Sequence, residues 1–182
     1  NVTAILGGNF RRLLGDITLN PAMGAFLNTR GNRKEDAASG RQPDENYARE
    51  VMQLFTIGLY QLNQDGTPKP GANGKPIETY GPADVSNLAR VFTGYVLDET
   101  GHVKGTQPER YRNPMKVNPA RHSTLDVGFL GTQIAGNTPP DQKLNRALDT
   151  LFNHPNTGPF IGRQLIQRLV TSAPSPAYVS RV

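Results

Sequence analysis

Apolar residues recur at the spacing of one helical face near the start of the chain. The stretch 10–17 carries four of them at i, i+3, i+4 and i+7, which predicts a short amphipathic helix. A second short helix is predicted over 21–27, because Asn20 can cap it and Pro21 suits the first helical position. The polar, glycine-bearing stretch 29–41 has no such period and predicts a surface loop.

The clearest predicted helix covers 43–57. Proline and two acids occupy its first turn, which favours the positive end of a helix, and Gly58 ends it. One face carries an apolar stripe that would pack against a core. On another face Asn46, Glu50 and Gln53 form a line of hydrogen-bonding groups, so these three side chains could converge on whatever packs there.

Three later stretches repeat the helical period: 82–92, 138–152 and a last one that begins at Pro159. The second and third are separated by His154-Pro155 and are predicted to form a helical hairpin. The pattern as a whole therefore predicts a mainly α fold, an irregular assembly of several helices.

Two segments interrupt the helical pattern. The turn dipeptides Asp65-Gly66 and Asn73-Gly74 predict a small β-hairpin at about 59–79, and the prolines within it confine it to an exposed edge. Residues 95–137 show no sustained period and predict a long irregular loop. A connection of that length is usually functional or partly disordered.

The composition fits one domain of ordinary size, with 182 residues, 36% apolar and 19% charged. Helical periodicity is already under way at the first residues and is just beginning again at the last ones. We therefore expect residues 1–182 to be a single-domain fragment of a larger helical protein, truncated at both ends. The first expected partner is the missing remainder of the same chain.

Charge and cysteine content exclude several classes of function. The formal net charge of +5 is diffuse, and the densest basic cluster, Arg30, Arg33 and Lys34, predicts a solvated loop rather than a nucleic-acid interface. The chain has no cysteine, which excludes disulfides, thiolate nucleophiles and cysteine-ligated metals. No stretch approaches the roughly 18 apolar residues of a membrane span, so none is predicted.

Five stretches carry a family resemblance: Asn20-Pro21-Ala22-Met23, 43–58, 83–95, 122–131 and 154–165. Through them nearly the whole chain resembles a bacterial family catalogued as domain of unknown function 1800. The resemblance implies a longer, largely helical protein, with no established activity and often with an export signal. It therefore implies a periplasmic, cell-surface or secreted location, and an envelope protein as a possible partner.

The candidate site combines Asn46, Arg49 and Glu50 on the 43–57 helix with His122 and Asp126 in the long loop. A carboxyl group beside an imidazole can act as a general base or bind a divalent metal. Where the family commonly has an acid after the histidine, this chain has a serine, which weakens a carried-over pairing of the histidine with an acid. The other two histidines, His102 and His154, are predicted to lie in a loop and at a helix end.

Two functional hypotheses follow from these residues. In the first, Arg49 and Glu50 tie their helix to the loop, and the protein is a structural or interaction module of the envelope. In the second, it is a hydrolase-like or metal-assisted enzyme that uses Glu50 and His122. No phosphate loop, nucleophile elbow or HExxH motif is present, so no cofactor site is predicted and a metal stays open.

Overall fold

The computed structural model describes residues 9–101 and 108–182, which divide into two compact units. The first unit contains the described residues up to Ala48 together with Pro82–Asp149. The second contains Arg49–Gly81 and Thr150–Val182. Each unit is thus assembled from two stretches that are far apart in sequence. That residues 1–182 form one domain of a larger protein stays a prediction.

The described residues form a mainly α structure, as predicted. The helices are α1 (Phe10–Thr18), α2 (Pro21–Phe26), α3 (Asn46–Gln53), α4 (Pro82–Ala89), α5 (Pro140–Phe152), α6 (Thr157–Leu169) and α7 (Pro176–Val179). Single 3-10 turns are formed by Arg90–Phe92, Pro108–Tyr111 and Pro119–Arg121. None of the described helices has the length and apolar character that crossing a bilayer requires.

Local capping explains where the short helices begin. The Asn20 side chain accepts the N–H of Ala22 at 2.9 Å, with Pro21 at the first position of α2, as predicted. Asn9 caps α1 in the same way through the N–H of Arg11, at 2.7 Å. These side chains satisfy backbone donors that a helix leaves without an internal partner.

Helix α3 is shorter at both ends than the predicted 43–57 stretch. It begins late because the carboxylate of Asp44 accepts the N–H of Asn46 at 2.8 Å and so caps the helix there. Beyond Gln53 the separation in sequence between donor and acceptor increases. The N–H of Gly58 donates to the carbonyl of Met52, six residues earlier, at 2.9 Å. The positive φ of Gly58, +70°, turns the chain away from the helix axis.

Short strands lie in the segment predicted as a long irregular loop. β1 (Tyr95–Val96) pairs antiparallel with β2 (Lys116–Val117), and β3 (Val127–Phe129) pairs antiparallel with β4 (Thr132–Ile134). The segment has no α-helix in its described part, but pairing and 3-10 turns order it.

The predicted β-hairpin at 59–79 is present as isolated antiparallel bridges rather than as continuous strands. Tyr60 pairs with Glu78, Leu62 with Pro68, and Pro70 with Pro76. Proline lacks the N–H that a ladder needs, so the prolines of this segment limit how far the pairing extends.

Each unit has its own apolar core. In the first, the rings of Tyr47 and Phe92 meet edge to face with centroids 4.8 Å apart. The same unit also buries the side chains of Leu14, Val85, Leu88, Phe129, Ile134 and Leu148. In the second unit the buried apolar side chains are those of Val51, Met52, Ile57, Leu151, Ile166 and Val179.

Candidate functional site

The backbone around Gly94 fixes the position of the loop that carries His122. Gly94 has a φ of +83°, and a Cβ atom there would lie 2.9 Å from both the Asn118 carbonyl oxygen and the His122 nitrogen. The carbonyl of Gly94 accepts the N–H of Asn118 at 2.8 Å. A residue without a side chain is therefore needed for the loop to approach this closely.

His122 is enclosed by the first unit, with 3% of its surface exposed. Its Nδ1 lies 2.8 Å from the carbonyl oxygen of Thr93. A carbonyl only accepts, so Nδ1 carries the proton, and the neutral ring leaves Nε2 as an acceptor. Nε2 is buried and has no hydrogen-bond partner among the described residues.

Burial lowers the pKa of His122, because the positively charged ring loses its hydration. The bond to the Thr93 carbonyl and the charge of Glu35 oppose this shift, whereas the charge of Lys143 adds to it. The histidine is therefore favoured in its neutral form.

Ser123 connects this histidine to two charged side chains. Its hydroxyl donates to the Glu35 carboxylate, with oxygen distances of 2.9 and 3.0 Å, and its N–H donates to the Thr93 hydroxyl at 2.8 Å. Its carbonyl accepts from the Lys143 Nζ at 2.8 Å. Lys143 is fully buried, and burial lowers the pKa of its ammonium group. We call Glu35, Thr93, His122, Ser123 and Lys143 the His122 cluster.

Asp126 lies in the same unit and holds the loop through a different contact. Its carboxylate accepts the N–H of Gly136 at 2.6 Å, and its carbonyl accepts from Arg90 at 2.7 Å. A side chain at Gly136 would overlap the carbonyl oxygen of Thr124. The acid that reaches the neighbour of His122 through a hydrogen bond is Glu35.

The three candidate residues of α3 divide between the units. Asn46 lies in the first unit, and Arg49 and Glu50 lie in the second. Glu50 is half-buried, and its backbone carbonyl accepts the N–H of Leu54 at 2.9 Å. The predicted pairing of Glu50 with His122 would join residues of different units and stays a prediction. His102 lies outside the described residues.

Sequence reasoning missed Glu35, Thr93 and Lys143 as neighbours of His122. The sequence did contain one indication that Lys143 is buried. This lysine lies one helical turn before Ala147, on the apolar stripe of α5. A lysine on a buried stripe needs hydrogen-bond partners. Among the described residues, no group of three His, Asp or Glu side chains is placed to hold a metal ion.

The second unit has an open cleft with a volume of about 410 Å³. Its apolar lining consists of Leu54, Leu59, Tyr60, Leu62, Pro68 and Phe160. Its polar lining consists of Gln53, Arg163, Gln164 and Gln167. We call it the glutamine cleft. The Arg163 guanidinium donates to the Gly66 carbonyl at 2.9 Å, which fixes one side of the cleft.

These features define a mainly α protein with a buried polar cluster in its first unit and an open, largely apolar cleft in its second. The family model described as "Protein of unknown function (DUF1800)" matches residues 3–182, so the chain belongs to this family. No curated protein and no solved structure matches the chain.

Proposed function

We propose that this chain is a non-catalytic interaction module of an exported bacterial protein, located in the periplasm, at the cell surface or outside the cell. In this proposal the His122 cluster holds the loop of the first unit in place. The glutamine cleft of the second unit receives a partner polypeptide of the envelope. The location rests on the family resemblance alone.

The main support for this proposal is the burial of His122. Its side chain is 3% exposed, and its Nδ1 is hydrogen-bonded to a main-chain carbonyl. A general base must come within hydrogen-bond reach of the proton that it removes. A ring that is shielded from solvent and oriented by the backbone stabilises a loop instead. The neighbouring polar groups make the same kind of contact, because Ser123 and Lys143 bond to carboxylate and backbone groups.

The glutamine cleft supports a polypeptide as the partner. Leu54, Leu59 and Tyr60 are 51%, 46% and 43% exposed, so apolar surface is available in one place. The amide groups of Gln164 and Gln167 offer both donors and acceptors, which suit the N–H and C=O groups of an extended chain. The proposed occupant is an extended segment with apolar side chains in an envelope protein.

The test is photo-crosslinking in intact cells that express the full-length parent protein. A photoreactive amino acid is placed at Leu59 in the cleft or, as a matched control, at Leu125 in the first unit. The two leucines are 46% and 45% exposed. We expect position 59 to give an adduct with one envelope protein, in a yield at least about fivefold higher than that from position 125. This adduct should disappear when Leu54→Arg is added. Similar yields from both positions contradict the proposal.

A second measurement addresses the hydrolase hypothesis. The full-length protein is assayed with chromogenic esters, amides and phosphate esters, alongside Glu50→Gln and His122→Asn. We expect no turnover that depends on these two residues. Turnover that Glu50→Gln abolishes while its urea unfolding curve stays unchanged would assign the protein to the enzymes and overturn the proposal.

A further inference from the structure

An open cleft of about 460 Å³ in the first unit brings three arginines together. Arg30 and Arg33 come from one wall and Arg41 from the other, and all three are exposed. We call it the arginine cleft. The sequence places Arg30 and Arg33 in a basic loop, but the structure adds Arg41 from the other side of a turn. Arg30, Arg33 and Arg41 therefore line one open cleft.

Hydrogen bonds hold the two walls together. The side chain of Asn32 accepts the N–H of Asp44 at 2.9 Å and donates to the Asp44 carbonyl at 3.2 Å. The Arg41 Nε donates to the Lys34 carbonyl at 3.0 Å. Asp36 and Arg41 also exchange both of their backbone hydrogen bonds, at 2.9 and 3.1 Å. A binding site with walls fixed in advance loses less entropy when a ligand enters.

Positively charged side chains outnumber negatively charged ones in the arginine cleft. It contains one carboxylate, Asp44, whose oxygens accept from the Asn46 N–H at 2.8 Å and the Asn28 side chain at 3.2 Å. Asp36 lies 3.7 Å from Arg41 and offsets part of its charge. Arg30 and Arg33 thus leave an excess of positive charge that would attract an anion.

The excess of positive charge also acts on a neighbouring tyrosine, Tyr111. The hydroxyl of Tyr111 accepts from Arg110 at 2.7 Å, and the charge of Arg30 also acts on this phenol. These two guanidinium groups, Arg110 first, lower the pKa of the Tyr111 phenol. Arg110 is itself paired with Glu99 at 3.5 Å, so Arg30 is the member of this pair of arginines that adds to the charge of the cleft.

We propose that the arginine cleft binds a phosphoryl oxyanion, with Arg30 and Arg33 as its principal ligands and Arg41 as a third. The guanidinium group is planar and donates parallel hydrogen bonds that match phosphate oxygens. The side-chain amide of Gln42 lines the same cleft and supplies a further donor. This site is independent of the glutamine cleft and of the partner proposed for it. The phosphoryl group belongs either to a free phosphate ester or to a lipid headgroup.

The test titrates the intact chain with inorganic phosphate at constant ionic strength, with NMR signals of the arginine side chains as the readout. We expect saturable shifts at Arg33 and Arg41, and a loss of affinity of about fivefold to tenfold for Arg33→Gln and for Arg30→Gln. Arg12→Gln is the matched control. It removes the same charge from an exposed arginine, 81% accessible, in the same unit. We expect its affinity to change by less than about twofold.

Vesicle sedimentation distinguishes the two sources of the phosphoryl group. Binding to phosphatidylglycerol vesicles, but not to phosphatidylcholine vesicles, that Arg33→Gln weakens identifies a lipid headgroup. Saturable phosphate binding without selective vesicle binding identifies a free phosphate ester. The proposal is overturned if Arg12→Gln weakens binding as much as Arg33→Gln, or if neither probe depends on the cleft arginines. Unfolding curves of all variants check that each one is folded.

Discussion

Asn156 joins the two stretches that form the second unit. Its side chain donates to the carbonyls of Ile57 at 2.6 Å and Tyr60 at 2.8 Å, and it accepts the N–H of Leu62 at 2.6 Å. It stands directly before α6, where asparagine usually caps a helix, but it makes no side-chain cap bond there. The residue is buried, so all of its polar atoms depend on these partners.

We predict that Asn156→Asp destabilises the protein by about 3 kcal/mol, because the carbonyls of Ile57 and Tyr60 lose their donor and a carboxylate replaces a buried amide of the same size. The measurement is the free energy of unfolding in urea. Asn153→Asp is the control, since Asn153 is exposed in the same connection, and we expect it to change stability by less than about 0.5 kcal/mol. Equal effects of the two substitutions would show that the side-chain hydrogen bonds of Asn156 do not stabilise the fold.

The residues of the candidate site were only partly predictable. His122 and Asp126 stand out in the sequence as polar groups in a long loop, and both make buried or part-buried hydrogen bonds. Their partners could not be identified, because Thr93 and Glu35 are 29 and 88 residues away from the loop positions that they contact. Contacts over such separations depend on the packing of helices, and no local pattern encodes them.

At the level of elements, the local signals were more informative. The prediction of α2 needed only Asn20 and Pro21, because a cap and the first helical position are properties of adjacent residues. The ends of α3 were less predictable, since apolar periodicity continues beyond Gln53 while the hydrogen bonds widen. Likewise, the pairing of β1 with β2 joins residues about twenty positions apart, and each strand has only two residues.

Gly58, which follows α3, provides a test of how this element ends. Its φ is +70°, and a Cβ atom there would lie 2.5 Å from the Phe160 ring. We predict that Gly58→Ala lowers the free energy of unfolding by about 2–4 kcal/mol, through backbone strain and steric overlap together.

Gly74 is the matched control for this substitution. It has the same φ of +70°, but nothing lies within 4 Å of the corresponding Cβ position. Gly74→Ala should therefore cost only the strain, about 1 kcal/mol. If the two variants unfold at the same urea concentration, the contact with Phe160 does not contribute.

For the whole molecule, we predict a loss of stability on mild acidification. Burial lowers the pKa of His122 in the first unit and of His154 in the second, from an ordinary value of 6.5. Between the lowered pKa and 6.5 the unfolded chain binds more protons, so the free energy of unfolding falls as the pH falls through this window. The Nδ1 of His154 also accepts the Asn156 N–H at 3.2 Å, a bond that protonation removes.

The measurement is urea unfolding between pH 7.5 and pH 5. His122→Asn keeps a donor near the Thr93 carbonyl and should reduce the pH dependence, as His154→Asn should independently. Asp98 titrates separately, because its hydrogen bond to Lys116 lowers the pKa of its carboxyl group to about 2. A stability that rises on acidification, or a slope unchanged in both variants, would contradict this prediction.

The discontinuous composition of the second unit has a consequence for biosynthesis. Residues 49–81 leave the ribosome well before their partners in 150–182, a delay of about 4–14 s at usual rates of translation. Throughout that interval the second unit cannot complete its core. Its residues Val51, Met52 and Ile57, which are fully buried in the folded structure, still lack their partners. The nascent chain thus exposes an apolar segment that a chaperone can bind until residues 150–182 have emerged.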